Sequence, residues 1–148
     1  MGKTIERNHQ EIPIIITALW MGFVLSISFM EAWLKFRAPG VTLEIGLSIG
    51  SLIFFVLNKV ELFFAFVLLI DIIYRKRTTK ISIWFFIALV ILIQQTLYFL
   101  PVLAERADSI IAGAVLAPSY FHSYYIVLEA LKVTFLATYV LKYYKNKS

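Results

Sequence analysis

Cysteine is absent from this sequence, and charge and histidine are both scarce. The first absence excludes disulfides, thiolate-held metals, iron–sulfur clusters and cysteine nucleophiles. Of the two histidines, His9 lies in a polar N-terminal segment, so one chain cannot supply two intramembrane histidines to a b-type haem. Charged residues make up 16% of the chain against 61% hydrophobic ones, with a mean hydropathy of +0.84, far from the balance of a soluble domain. With about 20 apolar residues needed per crossing, 148 residues accommodate four spans and leave no room for a large extramembrane catalytic unit. The net charge of +5 does not point to nucleic acid, because the lysines and arginines sit at the ends of apolar runs, where membrane orientation accounts for them.

What is present is a succession of long apolar segments. Ile12 to Phe36 forms a first span, with Pro13 in its first turn and Trp33 at the level of an interfacial aromatic anchor, and Pro39-Gly40 marks the turn that ends it. The first apolar run is too long for a signal-peptide core and lacks an A-x-A exit, and Glu6 breaks the myristoylation pattern that would begin at Gly2. Val41 to Tyr74 is too long for one upright crossing, at about 50 Å of helix against a core of roughly 30 Å. The charged group Asn58, Lys59 and Glu61 suggests where it divides, into an interfacial or re-entrant helix over 41–57 and a true span over 56–74. Gly46 and Gly50 share a face of the first part and allow another helix to approach closely. A basic loop at Arg75, Lys76, Arg77 and Lys80 leads to a third span over 81–100, stopped by Pro101. Val102 to Ala117 reads as an irregular connection, and Pro118-Ser119 opens a fourth helix over 119–144. The expected fold is therefore all-α: one integral membrane domain over 1–148, a four-transmembrane-helix bundle with an extra interfacial or re-entrant helix after the first span.

Orientation follows from counting. With the N-terminus inside, the cytoplasmic side carries Lys3, Arg7, Arg75, Lys76, Arg77, Lys80, Lys142, Lys145 and Lys147, and the outer side carries only Lys35, Arg37 and Arg106. That asymmetry predicts a multi-pass protein of a cell membrane with both termini cytoplasmic.

The functional question rests on the last helix. At 100° per residue, His122, Tyr125, Glu129 and Lys132 occupy one face about 80° wide, so an apolar helix carries one polar wall. An ionisable group at membrane depth costs roughly 2.5 to 3.5 kcal/mol on the gentler insertion scale, so such groups turn inward and pair. Under the expected topology Glu31, Asn58, Glu61, Gln94, Gln95 and His122 lie toward the outer ends of their helices, with Glu129 about 10 Å deeper than His122. These residues predict an outward-facing pocket lined by Glu31, Asn58, Glu61, Gln95, His122, Glu129 and Lys132, with Arg37 and Arg106 on its rim. A plainer reading stands beside it: Glu129 and Lys132, spaced i, i+3, neutralise each other on the helix surface, and the glutamines are interhelical glue. A divalent metal would need His122 together with Glu31 and Glu61 from other helices, since His122 and Glu129 are too far apart to share one ion. Ser119 and Ser123 flank His122, but neither sits in a nucleophile-elbow sequence.

At Trp20-x-Gly22, Lys35-Phe36-Arg37-Ala38-Pro39-Gly40, Arg106-Ala107 and the His122 segment, the chain resembles small bacterial four-helix inner-membrane proteins of a domain-of-unknown-function group. The resemblance implies four spans and no particular reaction.

Three classes of function follow. The first is a membrane protein that binds or passes a small ligand, an ion or proton, or a lipid headgroup through the polar pocket. The second is a non-catalytic structural or assembly subunit, with an intramembrane metal-dependent enzyme third. The expected partners are membrane lipids and either further copies of the chain or another membrane subunit, with no nucleic acid.

Overall fold

Each apolar run repeats its buried positions three or four residues apart, the spacing that lays one stripe along a helix. In the fourth helix the stripe is Tyr125, Glu129, Lys132, Leu136, Tyr139 and Tyr143, all buried; in the first it is Pro13, Thr17, Trp20, Val24 and Ser28. Four such stripes turned inward make a bundle. The computed structural model describes residues 2–75 and 79–145, with side chains described for 11–75 and 82–145, and every regular element among them is helical. Lys3, Arg7, Lys76, Arg77, Lys80 and Lys147 of the charge count lie outside the described side chains.

Four helices are long and apolar enough to cross a membrane: Glu11–Arg37, Leu43–Tyr74, Ser82–Ile111 and Phe121–Lys145. They are the first to fourth spans below. All-helical architecture with four such helices fits a multi-pass membrane protein.

The boundaries differ from the sequence expectation in four places. The first helix begins at Gly2, so Pro13 sits well inside it rather than in its first turn, and the Pro13 carbonyl accepts the Thr17 hydroxyl at 2.7 Å. The second span is one unbroken helix of 32 residues, with no separate interfacial or re-entrant helix over 41–57. Its Asn58 and Glu61 are i, i+3 neighbours that both turn inward and find partners there, so the polar group interrupts the composition without interrupting the helix. Pro101 does not stop the third span, which continues to Ile111. The residues just before it, Gln95–Phe99, form a π-helical turn, whose wider winding accommodates a ring that would otherwise press on the carbonyl four residues back. As a result, most of the expected irregular connection over 102–117 is helix. A second π-helical turn, Leu25–Glu31, lies in the first span.

The turn at Pro39-Gly40 is as the sequence marks it, while residues 76–78 of the expected basic loop lie outside the described residues. Gly40 takes φ +82°, a conformation open to glycine, and the Thr42 side chain caps the second span by accepting from the Ile45 amide at 3.3 Å. Successive helices run antiparallel. The first half of the third span packs on the fourth, while its second half, Leu100–Ile111, crosses to pack on the second.

That crossing divides the bundle into two unlike halves. Toward the chain termini lies a closed apolar core of Trp20, Val24, Ala65, Leu68, Ile72, Phe85, Ala88, Leu92, Leu136, Tyr139 and Tyr143. Toward the turns at 38–42 and 112–120 the helices part around a cavity of about 730 Å³.

A buried charge layer beneath an open cavity

Between the two halves lies a layer of polar side chains contributed by all four helices. Lys132 of the fourth span is completely buried and stands at its centre. Its ammonium forms an ion pair with Glu61 of the second span, donates to Gln95 Oε1 of the third at 2.8 Å, and meets both oxygens of Glu129 at 3.2 Å. Gln95 Nε2 donates to Glu129 at 3.1 Å, and the first span contributes Trp20, whose indole N–H donates to Glu61 Oε1 at 2.9 Å. Tyr125 lies one turn above, its hydroxyl within hydrogen-bonding reach of Glu129. Among these groups Glu61 Oε2 and Glu129 Oε2 are both buried without a hydrogen-bond partner, the second lying 3.2 Å from the Lys132 ammonium as an ion pair. In a bilayer such an arrangement must be internally satisfied, because lipid offers neither donors nor acceptors.

Two local distortions of the helices bear on the placement. Gln95 starts one π-helical turn and Ser28 lies buried in the other, and both turns pack against the fourth span that carries Glu129 and Lys132. π-turns widen a helix and redirect side chains, and they occur often at functional sites.

Above this layer the cavity is lined by the Ala32–Phe36 end of the first span, residues 46–59 of the second, 96–111 of the third, and His122 and Tyr125 of the fourth. Most of its wall is apolar, with Phe54, Phe55, Leu100, Leu103 and Ala104 among the lining side chains. Polar groups converge at two levels. Toward the mouth, Lys35 pairs with Glu31 at 3.4 Å and faces His122. Near the floor, Asn58 Nδ2 donates to Thr96 Oγ1 at 2.8 Å, and Thr96 in turn donates to the Leu92 carbonyl at 2.8 Å. Lys59 stands beside them, 16 residues along a 32-residue helix, with its ammonium 5.0 Å from the centre of the Phe55 ring and no carboxylate against it among the described residues.

The residues expected to form one pocket therefore separate into two places. Glu61, Gln95, Glu129 and Lys132 meet in the buried layer; Asn58 and His122 line the cavity, with Glu31 held beside it by Lys35. The layer lies near the middle of the helices rather than in their outer half, since the second and third spans are both longer than expected at the turn end. Glu129 and Lys132 do pair, but fully buried and across the bundle rather than on a helix surface. His122, Glu31 and Glu61 do not form a metal-ligand set: no group of three or more histidine, aspartate or glutamate side chains converges among the described residues, and Glu61 is engaged by Trp20 and Lys132. Arg37 and Arg106 do not line the cavity; Arg37 lies over the Trp33 ring at 4.6 Å, and Arg106 Nη2 donates to the Ala117 carbonyl at 2.7 Å, fastening the 112–120 loop. Gly46 and Gly50 receive side chains rather than a helix backbone: a Cβ at Gly46 would overlap the Phe36 ring, and one at Gly50 would meet the Lys35 ammonium.

Sequence reasoning missed Trp20 and Lys35 as site residues. The signal for Trp20 was its place in the stripe with Thr17 and Ser28; for Lys35, its i, i+4 spacing from Glu31. No protein-family model matches the chain, and neither the curated proteins nor the solved structures compared with it contain a match.

Proposed function

We propose that this protein binds an amphiphile with an anionic head group, an acidic lipid or a single-chain relative of one, in the cavity between its second and third spans. The apolar wall receives the chain, and Lys59 and Lys35 receive the head group, with Asn58, Thr96 and His122 supplying hydrogen bonds. The observation that carries this reading is Lys59. A lysine at the midpoint of an apolar helix normally turns inward and pairs, yet Lys59 is exposed, and among the described residues it meets the face of Phe55, a cation–π contact of about 0.5–1 kcal/mol, and no carboxylate. Lys35, by contrast, already has Glu31. A cavity of this size is within the range of small-molecule sites, and its few polar groups on an apolar wall are the usual composition of one.

The test is binding of phosphatidylglycerol, phosphatidylcholine and inorganic phosphate to protein purified in a neutral detergent, read by native mass spectrometry. The wild type is expected to retain phosphatidylglycerol in preference to phosphatidylcholine. The Lys59→Met variant is expected to lose that preference by about tenfold or more. Binding of inorganic phosphate alone would assign the site to a free anion, and equal retention of both lipids by both proteins would overturn the reading.

A second reading has one observation in its favour. The layer around Lys132 ties all four helices together within one chain, which is what a purely structural or assembly subunit would require. Under that reading Lys132→Met unfolds the protein while Lys59→Met changes nothing.

A further inference from the structure

We propose that the buried layer is a site for one exchangeable proton, shared by Glu61 and Glu129 around Lys132, and that its occupancy is linked to the cavity through Tyr125. The site itself stands on geometry alone, whereas the linkage rests on the anionic-amphiphile reading.

The argument begins with a charge count. Two carboxylates face one ammonium, so the cluster carries a net charge of −1 when all three are ionised and is neutral with one added proton. All three side chains are at most 1% exposed, where an unbalanced charge has no solvent to screen it. The groups packed around them do not supply the missing positive charge. The first span presents the Trp20 indole, the second presents Glu61, the third presents the neutral Gln95, and the fourth presents Tyr125, Glu129 and Lys132. The charged groups within electrostatic reach of Glu129 are Lys132 and Glu61.

There is also an atom for the proton. Glu61 Oε1 takes both the indole N–H and the ammonium, while Glu61 Oε2 is buried with no hydrogen-bond partner. A proton arriving on either carboxylate is within one Lys132 ammonium of the other, so it is shared by the pair rather than owned by one residue.

Tyr125 gives the layer its only side-chain connection to the cavity among these residues. It lines the cavity, packs edge-on against Phe54 at 5.5 Å, and reaches Glu129 through its hydroxyl. An anion entering the cavity places negative charge above a layer that is already one positive charge short. The neutral, protonated layer is then favoured, and by reciprocity the protonated layer favours the anion. One proton is taken up for each anionic head group bound.

The site is tested by infrared spectroscopy of the full chain in neutral detergent as pH is varied. The expected result is one carboxylic-acid C=O band that titrates, shifts in D₂O, and disappears in both Glu61→Gln and Glu129→Gln; two isosteric variants are used so that one poorly folding protein does not decide the matter. Absence of any such band in folded wild type at every pH would overturn the proposal, as would a band that responds to Na⁺ rather than to pH. The linkage is tested by phosphatidylglycerol affinity against pH. It should fall about tenfold for each unit of pH above the titration, the slope of one linked proton, and the slope should vanish in Glu129→Gln. A flat profile in the wild type would remove the linkage. Failure of the lipid to bind at any pH, with the band intact, would refute the pocket reading and leave the proton site standing.

Discussion

The two halves of the bundle handle polar groups on apolar helices in opposite ways. In the half toward the termini, apolar stripes close on one another and the charges above them are paired within the chain, from Trp20 to Glu61 to Lys132 to Glu129 and Gln95. In the half toward the turns, the third helix leans away from the fourth, the cavity stays open, and Lys59 is left without an acidic partner among the described residues. The first half is internally complete except for one positive charge. The second, on the proposed function, is completed by a ligand. The difference teaches where to look for stability and where to look for binding.

If that contrast is right, substitutions in the layer should act on folding and substitutions in the cavity on binding. The largest effect is expected from Lys132→Met, which leaves two buried carboxylates with no cation; a loss of about 3–5 kcal/mol is predicted, checked by denaturation in mixed detergent micelles. Trp20→Phe removes the indole donor from Glu61 and leaves a cavity where the larger ring stood, with a combined cost of about 2–4 kcal/mol by the same assay. Gly50→Leu tests the mouth of the cavity, since its side chain would occupy the space of the Lys35 ammonium. A loss of about 1–3 kcal/mol is expected, together with weakened phosphatidylglycerol retention. Lys59→Met is predicted to change stability by less than about 1 kcal/mol, because a cation–π contact is all it removes, while abolishing the lipid preference. The smallest effect belongs to Arg106→Ala, which frees the 112–120 loop at a cost of about 0.5–1.5 kcal/mol and should appear chiefly as faster proteolysis there. Equal stability losses at Lys59 and Lys132 would erase the distinction between the halves.

Much of this was legible in the sequence. Four spans follow from hydropathy, and the face shared by Tyr125, Glu129 and Lys132 follows from spacing alone; all three are buried. The continuity of the second and third helices was not legible, for a physical reason. Asn58, Lys59 and Glu61 read as a break because sequence does not reveal that Thr96, Trp20 and Lys132 wait opposite two of them. Pro101 reads as a stop because nothing local announces that the turn before it is π-helical. The separation of layer from cavity has the same origin. It depends on which partner each side chain meets across helices, as when Glu31 is taken by Lys35 and Glu61 by Lys132, and helical periodicity is silent on that choice.

The most direct test of the central claim is to identify by mass spectrometry the lipid that remains with the protein after extraction in a mild neutral detergent, for the wild type and Lys59→Met side by side. One acidic amphiphile per chain in the wild type, lost from an equally stable Lys59→Met protein, is the predicted result. A lipid mixture that mirrors the source membrane and is the same in both proteins would contradict it.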